Sequence, residues 1–125
     1  MATKNRGDRE VTHYMKLNPK PFSMIAEGRK TIELRLYDEK RQGISLGDTI
    51  VFKNTENENE VISCTVKGLH IFPSFDLLYK SLPLDKCGYL PEEIEAASPG
   101  DMELYYPEDE QKKYGVVGIE LELIL

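Results

Sequence analysis

The sequence predicts an α+β fold: a small β-barrel or curled sheet of about five to six mostly antiparallel strands, with short helices at its periphery. Three observations lead to this prediction. A chain of 125 residues has the length of one domain. Several segments alternate apolar and polar residues with period two, whereas helical spacing is confined to short segments. The chain also lacks the regular alternation of strand and helix that is typical of a parallel sheet.

The first elements follow a polar N-terminal segment. Residues 1–11 carry no periodic apolar pattern, so we expect a mobile tail followed by a single domain over residues 12–125. Residues 13–17 alternate and predict the first strand. A short helix then begins near two prolines, with Asn18 at the N-cap position, and ends at Gly28, a residue that readily adopts positive φ.

A second strand is predicted over residues 29–37, where the spacing changes to period two. The face predicted to join the core carries three apolar residues, Ile32, Leu34 and Leu36. The opposite face carries Thr31, Glu33, Arg35 and Tyr37. A turn-rich connection over residues 43–47 follows.

The next two strands are predicted to form a hairpin. Residues 49–53 alternate, residues 54–60 are polar and predict a loop, and a long strand begins at Val61. Gly68 predicts a bulge where this strand bends, and Pro73 ends it.

The last third of the chain predicts short helices and one strand. Ser74 is expected to cap a first helix, residues 90–93 to begin a second that ends at Pro99, and residues 107–113 to form a third. Residues 117–125 alternate apolar and polar side chains, which predicts a strand in a sheet with one face in water.

Charge is distributed unevenly along the chain. The formal net charge is −6, which argues against broad, sequence-indifferent binding of duplex DNA. Residues 11–53 hold eight basic and five acidic residues, a balance of +3, whereas residues 54–125 hold five basic and fifteen acidic residues, a balance of −10. This asymmetry predicts a localised positive site on an acidic body. The alternative is that folding interleaves the two segments and no local field survives.

Composition excludes several further classes of protein. The two cysteines exclude a disulfide-rich scaffold, and no apolar run approaches the roughly 20 residues of a membrane span. With no signal peptide recognisable, we expect a cytoplasmic protein that does not bind membranes. His13 and His70 stand apart from other ligand-type residues, so no metal site is predicted. There is no Gly-rich phosphate loop, and no cofactor is predicted. Oligomeric state stays open.

The densest functional pattern is a turn followed by charged residues. Gly28 is followed by Arg29 and Lys30, and then by Glu33 and Arg35. A lysine beside a carboxylate and an arginine can bind a phosphate or carboxylate, or can transfer protons. On an ideal strand Lys30 is out of phase with Glu33, so both reach one cleft only if the strand begins after Lys30 or kinks at the turn. The alternative is an edge strand protected by charge.

Further basic and aromatic residues surround this pattern. Lys40 and Arg41 are expected to form one lip of the same cleft. Tyr37 suits base stacking beside these cations, but it suits packing against the sheet equally well. A late group of tyrosines is expected mainly to pack helices onto the sheet, and it comprises Tyr105, Tyr106 and Tyr114.

Three segments together resemble a known family. Residues 28–35 read GRKTIELR, residues 47–52 read GDTIVF, and residues 114–121 read YGVVGIEL. In this order they resemble the ASCH domain, the homology region of the activating signal cointegrator, over about residues 12–125. The resemblance implies a PUA-like β-barrel with a cleft between barrel and helices, and a protein that binds RNA or acts on RNA and its nucleosides.

The resemblance also implies roles for individual residues. Lys30, Glu33 and Arg35 match the cleft residues of the family motif, so we expect an RNA- or nucleotide-binding cleft centred on them. With the neighbours described above, the predicted binding residues are Arg29, Lys30, Glu33, Arg35, Tyr37, Lys40 and Arg41.

One bacterial branch of the family hydrolyses the acetyl amide of N(4)-acetylcytidine with a Lys, a Thr and a Glu. The Lys matches Lys30, but Glu33 occupies the position of the Thr, and the Glu has four counterparts in this chain, Glu92, Glu93, Glu95 and Glu103. Other relatives are linked to ribonuclease activity. An alternative to a pure binding module is therefore a hydrolase with Lys30 and Glu33 as catalytic residues. A third hypothesis is a protein–protein adaptor, which predicts an exposed apolar patch over residues 75–84.

Overall fold

The structure is a computed structural model that describes residues 11–125. The predicted tail therefore lies outside the described residues, apart from Val11. The described residues form five strands in one sheet, and their bounds are β1 Thr12–Leu17, β2 Ile32–Leu36, β3 Thr49–Asn54, β4 Asn57–Phe72 and β5 Val116–Leu123. Within residues 11–125, four α-helices flank the sheet: α1 Pro19–Ala26, α2 Glu39–Gln42, α3 Phe75–Ser81 and α4 Glu108–Tyr114. Three short 3-10 helices join α3 to α4, at Leu84–Lys86, Pro91–Ala96 and Pro99–Leu104.

The sheet is a curled half-barrel in the order β1-β3-β4-β5-β2. Only β1 and β3 pair in parallel, and the other three pairs are antiparallel. Strands β1 and β2 are thus the two edges of the curl, and α1 connects them. The predicted α+β class with a mostly antiparallel curled sheet is confirmed.

Two apolar clusters lie on opposite sides of β5. Inside the curl, β5 contributes Val117 and Ile119 to the larger cluster, which α1 covers. Outside it, Val116 joins the cluster under α3. The first half of β5 is therefore buried on both faces, and the prediction of a strand with one face in water is wrong there. The alternation of residues could not reveal this, because Gly118 leaves room for apolar side chains from β2 and from Leu82, which follows α3.

Strand β2 is also buried on both faces. Ile32, Leu34 and Leu36 pack outside the curl, in the cluster under α3. Glu33 and Arg35 pair in register with Ile119 and Val117 of β5, so the charged face of β2 points into the curl.

The loop predicted over residues 54–60 is too long, and the short helix that precedes the connection over residues 43–47 was not predicted. Residues 57–60 belong to β4 rather than to a loop, so the hairpin turns over residues 55 and 56. This arm is exposed on both faces and therefore shows no alternation. The connection after Tyr37 holds α2, whose single turn is too short to show helical spacing; Asp38 caps it by accepting a hydrogen bond from the backbone N–H of Arg41.

Several local predictions are confirmed. The register of β4 against β5 shifts between Val66 and Gly68, which is the predicted bulge. Ser74 caps α3 by accepting a hydrogen bond from the backbone N–H of Leu77. Asn18 occupies the N-cap position of α1, but its side chain does not cap the helix and instead accepts a hydrogen bond from Thr55 Oγ1 at 3.0 Å. The helix expected from residue 90 is a 3-10 helix, and Pro99 begins another one instead of only ending it.

The helices bear on two wider expectations, the apolar patch of an adaptor and the lack of a membrane span. The patch required by the adaptor hypothesis is largely absent from α3, because Phe75 and Leu78 are buried and Leu77 alone of these three is exposed. Within residues 11–125, no helix is long and apolar enough to cross a membrane.

Candidate functional site

A cleft of about 790 Å³ opens between the two edges of the half-barrel and the segment that joins α3 to α4. We call its side on β2 the floor, which consists of Lys30, Glu33 and Arg35. We call the opposite side the wall. Its aromatic members are Tyr79, Tyr89, Tyr105 and Tyr106, and its acidic members are Glu92, Glu93 and Asp101. The rim carries two lysines, Lys16 at the end of β1 and Lys20 in α1.

The floor is a chain of two ion pairs through one carboxylate. Lys30 Nζ lies 2.7 Å from Glu33 Oε1, and Arg35 Nε lies 2.6 Å from Glu33 Oε2. The three side chains are only 10, 5 and 13 % exposed, respectively. A buried carboxylate in two such pairs holds both cations in fixed positions.

The turn before β2 explains how Lys30 reaches this chain. Gly28 adopts a φ of +78°, the left-handed region that favours glycine, and lets the chain reverse after α1. Strand β2 begins only at Ile32, so Lys30 is not bound by the alternation of the strand. Its stem packs under Gly88, where an added Cβ would lie 3.2 Å from Lys30 Cδ.

The charges of the floor are mutually stabilised. Burial raises the pKa of Glu33, but the adjacent Lys30 and Arg35 outweigh burial and hold that pKa below its ordinary value. Burial likewise lowers the pKa of Arg35, and the Glu33 carboxylate reverses the shift and raises it. The carboxylate of Glu33 therefore stays ionised and has both oxygens engaged, which makes it a poor proton acceptor.

Cations from β2 and α2 also bridge the opening of the half-barrel. Arg35 Nη2 donates to the carbonyl of Lys16 at 2.9 Å, and Lys40 Nζ donates to the carbonyl of Tyr14 at 2.8 Å. Both carbonyls belong to edge strand β1. Burial and the neighbouring cations Arg41 and Arg35 lower the pKa of Lys40. Lys40 thus links α2 to β1, and it is not among the described residues that line the cleft.

Four of the predicted binding residues are not among the residues that line the cleft in the described chain. Arg29 is exposed and pairs with Glu27. Tyr37 packs against the apolar cluster inside the curl, which is the second of its two interpretations. Lys40 bridges to β1, and Arg41 pairs with Asp38 at 3.1 Å. The structure therefore brings together Lys30, Glu33 and Arg35, but not the lip expected from Lys40 and Arg41.

The wall holds a hydrogen-bonded chain of three side chains. The hydroxyl oxygens of Tyr79 and Tyr89 lie 2.6 Å apart, and the Tyr89 hydroxyl donates to Asp101 Oδ2 at 2.7 Å. Burial raises the pKa of Tyr79 and of Tyr89, and the hydrogen bonds and the Asp101 carboxylate raise that of Tyr89 further, so both phenols are neutral.

Aromatic contacts support the same wall. Tyr106 stacks on Phe75 with ring centroids 6.1 Å apart, and Tyr105 lies 6.4 Å from Tyr106 at the mouth of the cleft. Two of the three late tyrosines thus line the site, whereas sequence reasoning missed Tyr79, Tyr89 and Asp101. One signal was present: Tyr79, Tyr89, Tyr105 and Tyr106 make up four of the seven tyrosines and fall in one segment.

Two of the four glutamates considered for a hydrolase line the cleft, Glu92 and Glu93. Glu93 accepts a hydrogen bond from the backbone N–H of Leu90, which lowers its pKa, and it lies 3.5 Å from Lys20 Nζ. Glu95 and Glu103 are absent from the residues that line the cleft in the described chain. Nor do residues 11–125 contain a group of three His, Cys, Asp or Glu side chains arranged to hold a metal ion.

Comparison with known proteins agrees with this architecture. The family model described as the ASCH domain matches residues 15–125. The crystal structure of hypothetical protein PH0355 is 32% identical, with a TM-score of 0.73 over 91% of this chain and 100% of that chain. The solution structure of protein PF0455 from Pyrococcus furiosus is 31% identical, with a TM-score of 0.68 over 91% and 98% of the two chains.

A more distant likeness concerns the fold alone. The crystal structure of ASCH from Zymomonas mobilis is 17% identical, with a TM-score of 0.64 over 89% of this chain and 66% of that chain. A comparison with curated proteins finds no match.

Proposed function

This chain belongs to the ASCH domain family, and on that premise we propose that its cleft binds a nucleotide of single-stranded RNA. One observation carries the proposal: a buried floor of fixed cations faces a wall of tyrosines across a cleft of about 790 Å³. Pockets for small ligands commonly measure roughly 300–1,000 Å³, so a nucleotide fits this space.

The floor supplies hydrogen-bond donors that are held in place. Lys30 has three N–H groups and Glu33 is its one ion-pair partner among the described residues, so further donors remain for a ligand. Arg35 uses its Nε with Glu33 and one Nη2 hydrogen with the Lys16 carbonyl, which leaves its Nη1 group. Such cations bind phosphate oxygens or the carbonyl oxygens of a base.

The wall supplies surfaces for stacking. Single-stranded RNA is recognised mainly through unstacked bases that lie on aromatic side chains. Tyr79, Tyr89, Tyr105 and Tyr106 all line the cleft, and Tyr105 is the exposed one of the four. The tyrosines of the wall can therefore stack a base, while the cations of the floor bind a phosphate or a carbonyl oxygen of that base.

The rim limits how much of a long polyanion can bind. Lys16 and Lys20 are exposed and can contact phosphates beside the cleft. Residues 54–125 carry a balance of −10, and this acidic body repels the remainder of a long strand. We therefore propose binding of a few nucleotides, with a shallow salt dependence set by few phosphate contacts.

The test is a titration of fluorescein-labelled octaribonucleotides at two salt concentrations. Lys30→Ala is expected to weaken binding about tenfold or more, because it removes a donor of the floor. Lys112→Ala is the matched control, since this lysine is exposed on α4 and pairs with Glu108. No binding by the unaltered protein, or equal losses in the two variants, would contradict the proposal.

A hydrolase acting on a modified nucleoside or on RNA is the second candidate. It is favoured by the placement of Glu92 and Glu93 on the cleft that also holds Lys30. In this version Lys30 is the acid or base, and Glu33 is a positioning residue because both of its oxygens are engaged. Incubation with acylated nucleosides and short RNAs decides: turnover lost in both Lys30→Ala and Glu92→Ala supports it, and the absence of turnover leaves the binding function alone.

A further inference from the structure

We infer that Tyr79, Tyr89 and Asp101 form a directed hydrogen-bond chain that makes the wall of the cleft select ligands with N–H donors. The inference rests on the proposed function, and it names the feature of a base that the site reads. Tyr79 is the specificity-determining residue, and Tyr89 and Asp101 are positioning residues that fix the direction of its hydroxyl group.

The direction follows from counting hydrogens. Asp101 Oδ2 also accepts a hydrogen bond from the backbone N–H of Ser98 at 3.2 Å, so it is an acceptor in this arrangement. The single hydroxyl hydrogen of Tyr89 is donated to the same oxygen at 2.7 Å. The contact of 2.6 Å between the two phenols must then use the hydrogen of Tyr79. Every hydroxyl hydrogen in the chain is committed.

Neighbouring side chains hold this chain in place. The rings of Tyr79 and Tyr89 meet edge to face with centroids 5.9 Å apart, and Phe75 meets Tyr79 in the same way at 6.4 Å. Asp101 is fixed by the capping box of its own 3-10 helix, where its side chain binds Ser98. The raised pKa values of the two phenols keep both hydrogens on the chain at neutral pH.

The consequence is that the two sides of the cleft have opposite hydrogen-bonding character. The phenol oxygens of Tyr79 and Tyr89 have only lone pairs left to offer, and so does Asp101. Lys30 and Arg35 on the floor can only donate. A ligand that satisfies both sides must present an acceptor to the floor and an N–H or O–H donor to the wall.

A nucleobase edge has this pairing of groups, because carbonyl or ring nitrogen acceptors adjoin amino or imino N–H donors. A fully ionised phosphate has acceptors alone and satisfies the floor only. The wall therefore favours entry of the base, with phosphates left at the rim, and it disfavours a base whose N–H groups are replaced by methyl groups.

The experiment measures binding of three pairs of nucleosides by calorimetry: cytidine with N4,N4-dimethylcytidine, uridine with 3-methyluridine, and adenosine with N6,N6-dimethyladenosine. For the nucleoside that binds best, methylation is expected to weaken binding to the unaltered protein about tenfold, because a wall acceptor loses its donor. In Tyr79→Phe the unmethylated nucleoside is expected to weaken by a similar factor, and the two members of the pair should differ by less than about twofold.

Two variants of Asp101 test the direction of the chain. Asp101→Ala frees the Tyr89 hydroxyl to donate to Tyr79, so the Tyr79 hydrogen becomes available to the ligand and the preference for N–H should disappear. Asp101→Asn keeps an acceptor oxygen for Tyr89 and should restore the preference. Tyr14→Phe, on the exposed side of β1, is the control and should leave all six affinities unchanged.

Each result has one meaning. If methylation costs the same in Tyr79→Phe as in the unaltered protein, its effect is steric and the inference is overturned. Binding without any discrimination by methylation overturns the inference alone and leaves the proposed function standing. If no nucleoside and no octaribonucleotide binds, the proposed function fails and the inference fails with it.

Discussion

The floor of the cleft stands on a regular strand, whereas the wall opposite it is built from 3-10 helices and the end of α3. The floor residues lie on and just before β2, whose register against β5 fixes where Glu33 and Arg35 point. Among the described residues the wall forms no strand ladder, and it is held by the local backbone hydrogen bonds of its 3-10 helices, by aromatic contacts and by the chain from Tyr79 to Asp101. We therefore expect the floor to be important for stability, and the wall to influence ligand binding with smaller effects on stability.

The largest effect is expected from breaking the floor. Glu33→Ala leaves the buried cations Lys30 and Arg35 without their carboxylate and should lower the free energy of unfolding by about 3–5 kcal/mol. Denaturation in urea measures it. The control is Glu27→Ala, which removes an exposed partner of Arg29 and should cost about 0–1 kcal/mol. If both variants lose the same free energy of unfolding, the buried ion pairs of the floor stabilise the fold no more than an exposed pair does.

The pH dependence of stability tests the same carboxylate. The pKa of Glu33 is lowered in the folded chain, so its stabilising contribution is complete above the ordinary value of 4.5 and is lost as pH falls through the folded value. The free energy of unfolding should therefore fall on acidification below about pH 4.5. In Glu33→Gln this decrease should be shallower than in the unaltered protein. Identical dependence of the free energy of unfolding on pH in the two proteins would contradict the lowered pKa of Glu33.

The contact between floor and wall is expected to have an intermediate effect. Gly88 in the wall has a φ of +105°, and a Cβ there would press on the stem of Lys30. Gly88→Ala should cost about 1–3 kcal/mol of stability and should also weaken binding of the octaribonucleotide, because Lys30 is displaced. Gly43→Ala is the matched control: Gly43 has a helical φ of −82° and space for a Cβ, so alanine should be neutral or stabilise by up to about 1 kcal/mol.

The smallest effect on stability is expected at the mouth of the wall. Tyr105 is 64% exposed, so Tyr105→Ala should change the free energy of unfolding by no more than about 0.5 kcal/mol. Loss of a stacking surface should nevertheless weaken binding of the octaribonucleotide by about 1–3 kcal/mol. Tyr14, which is 59% exposed outside the cleft, provides the control, and Tyr14→Ala should leave this affinity unchanged. A similar loss of affinity in both variants would exclude a specific role for Tyr105.

The same contrast explains what could be predicted from the sequence. The segment from Gly28 to Arg35 predicted a turn, a strand and a group of charges because these properties depend on residues close together in the chain. Strand alternation also predicted that Glu33 and Arg35 share a face. It could not show that this face points into the curl, since β2 is buried on both sides and its two faces are distinguished only by what packs on them.

The wall could not be predicted in this way. Tyr79, Tyr89 and Asp101 are separated by ten and twelve positions, and the segments between them lack the spacing of a helix or a strand. Their hydrogen bonds are tertiary contacts. Lys40 and Arg41 show the opposite error, because their proximity in sequence suggested one lip, whereas α2 turns them toward β1 and Asp38.

Strand β5 couples the two apolar clusters of the domain. It is the pairing partner of β2, and it contributes both to the cluster inside the curl and to the cluster under α3. Opening either cluster exposes one face of β5 and so disturbs the strand on which the other cluster packs. The two clusters should therefore melt as one cooperative unit. Amide protons of β5 should exchange with solvent only through global unfolding, while those of the 3-10 segment exchange through local opening. Local opening of the wall would then leave the geometry of the floor unchanged.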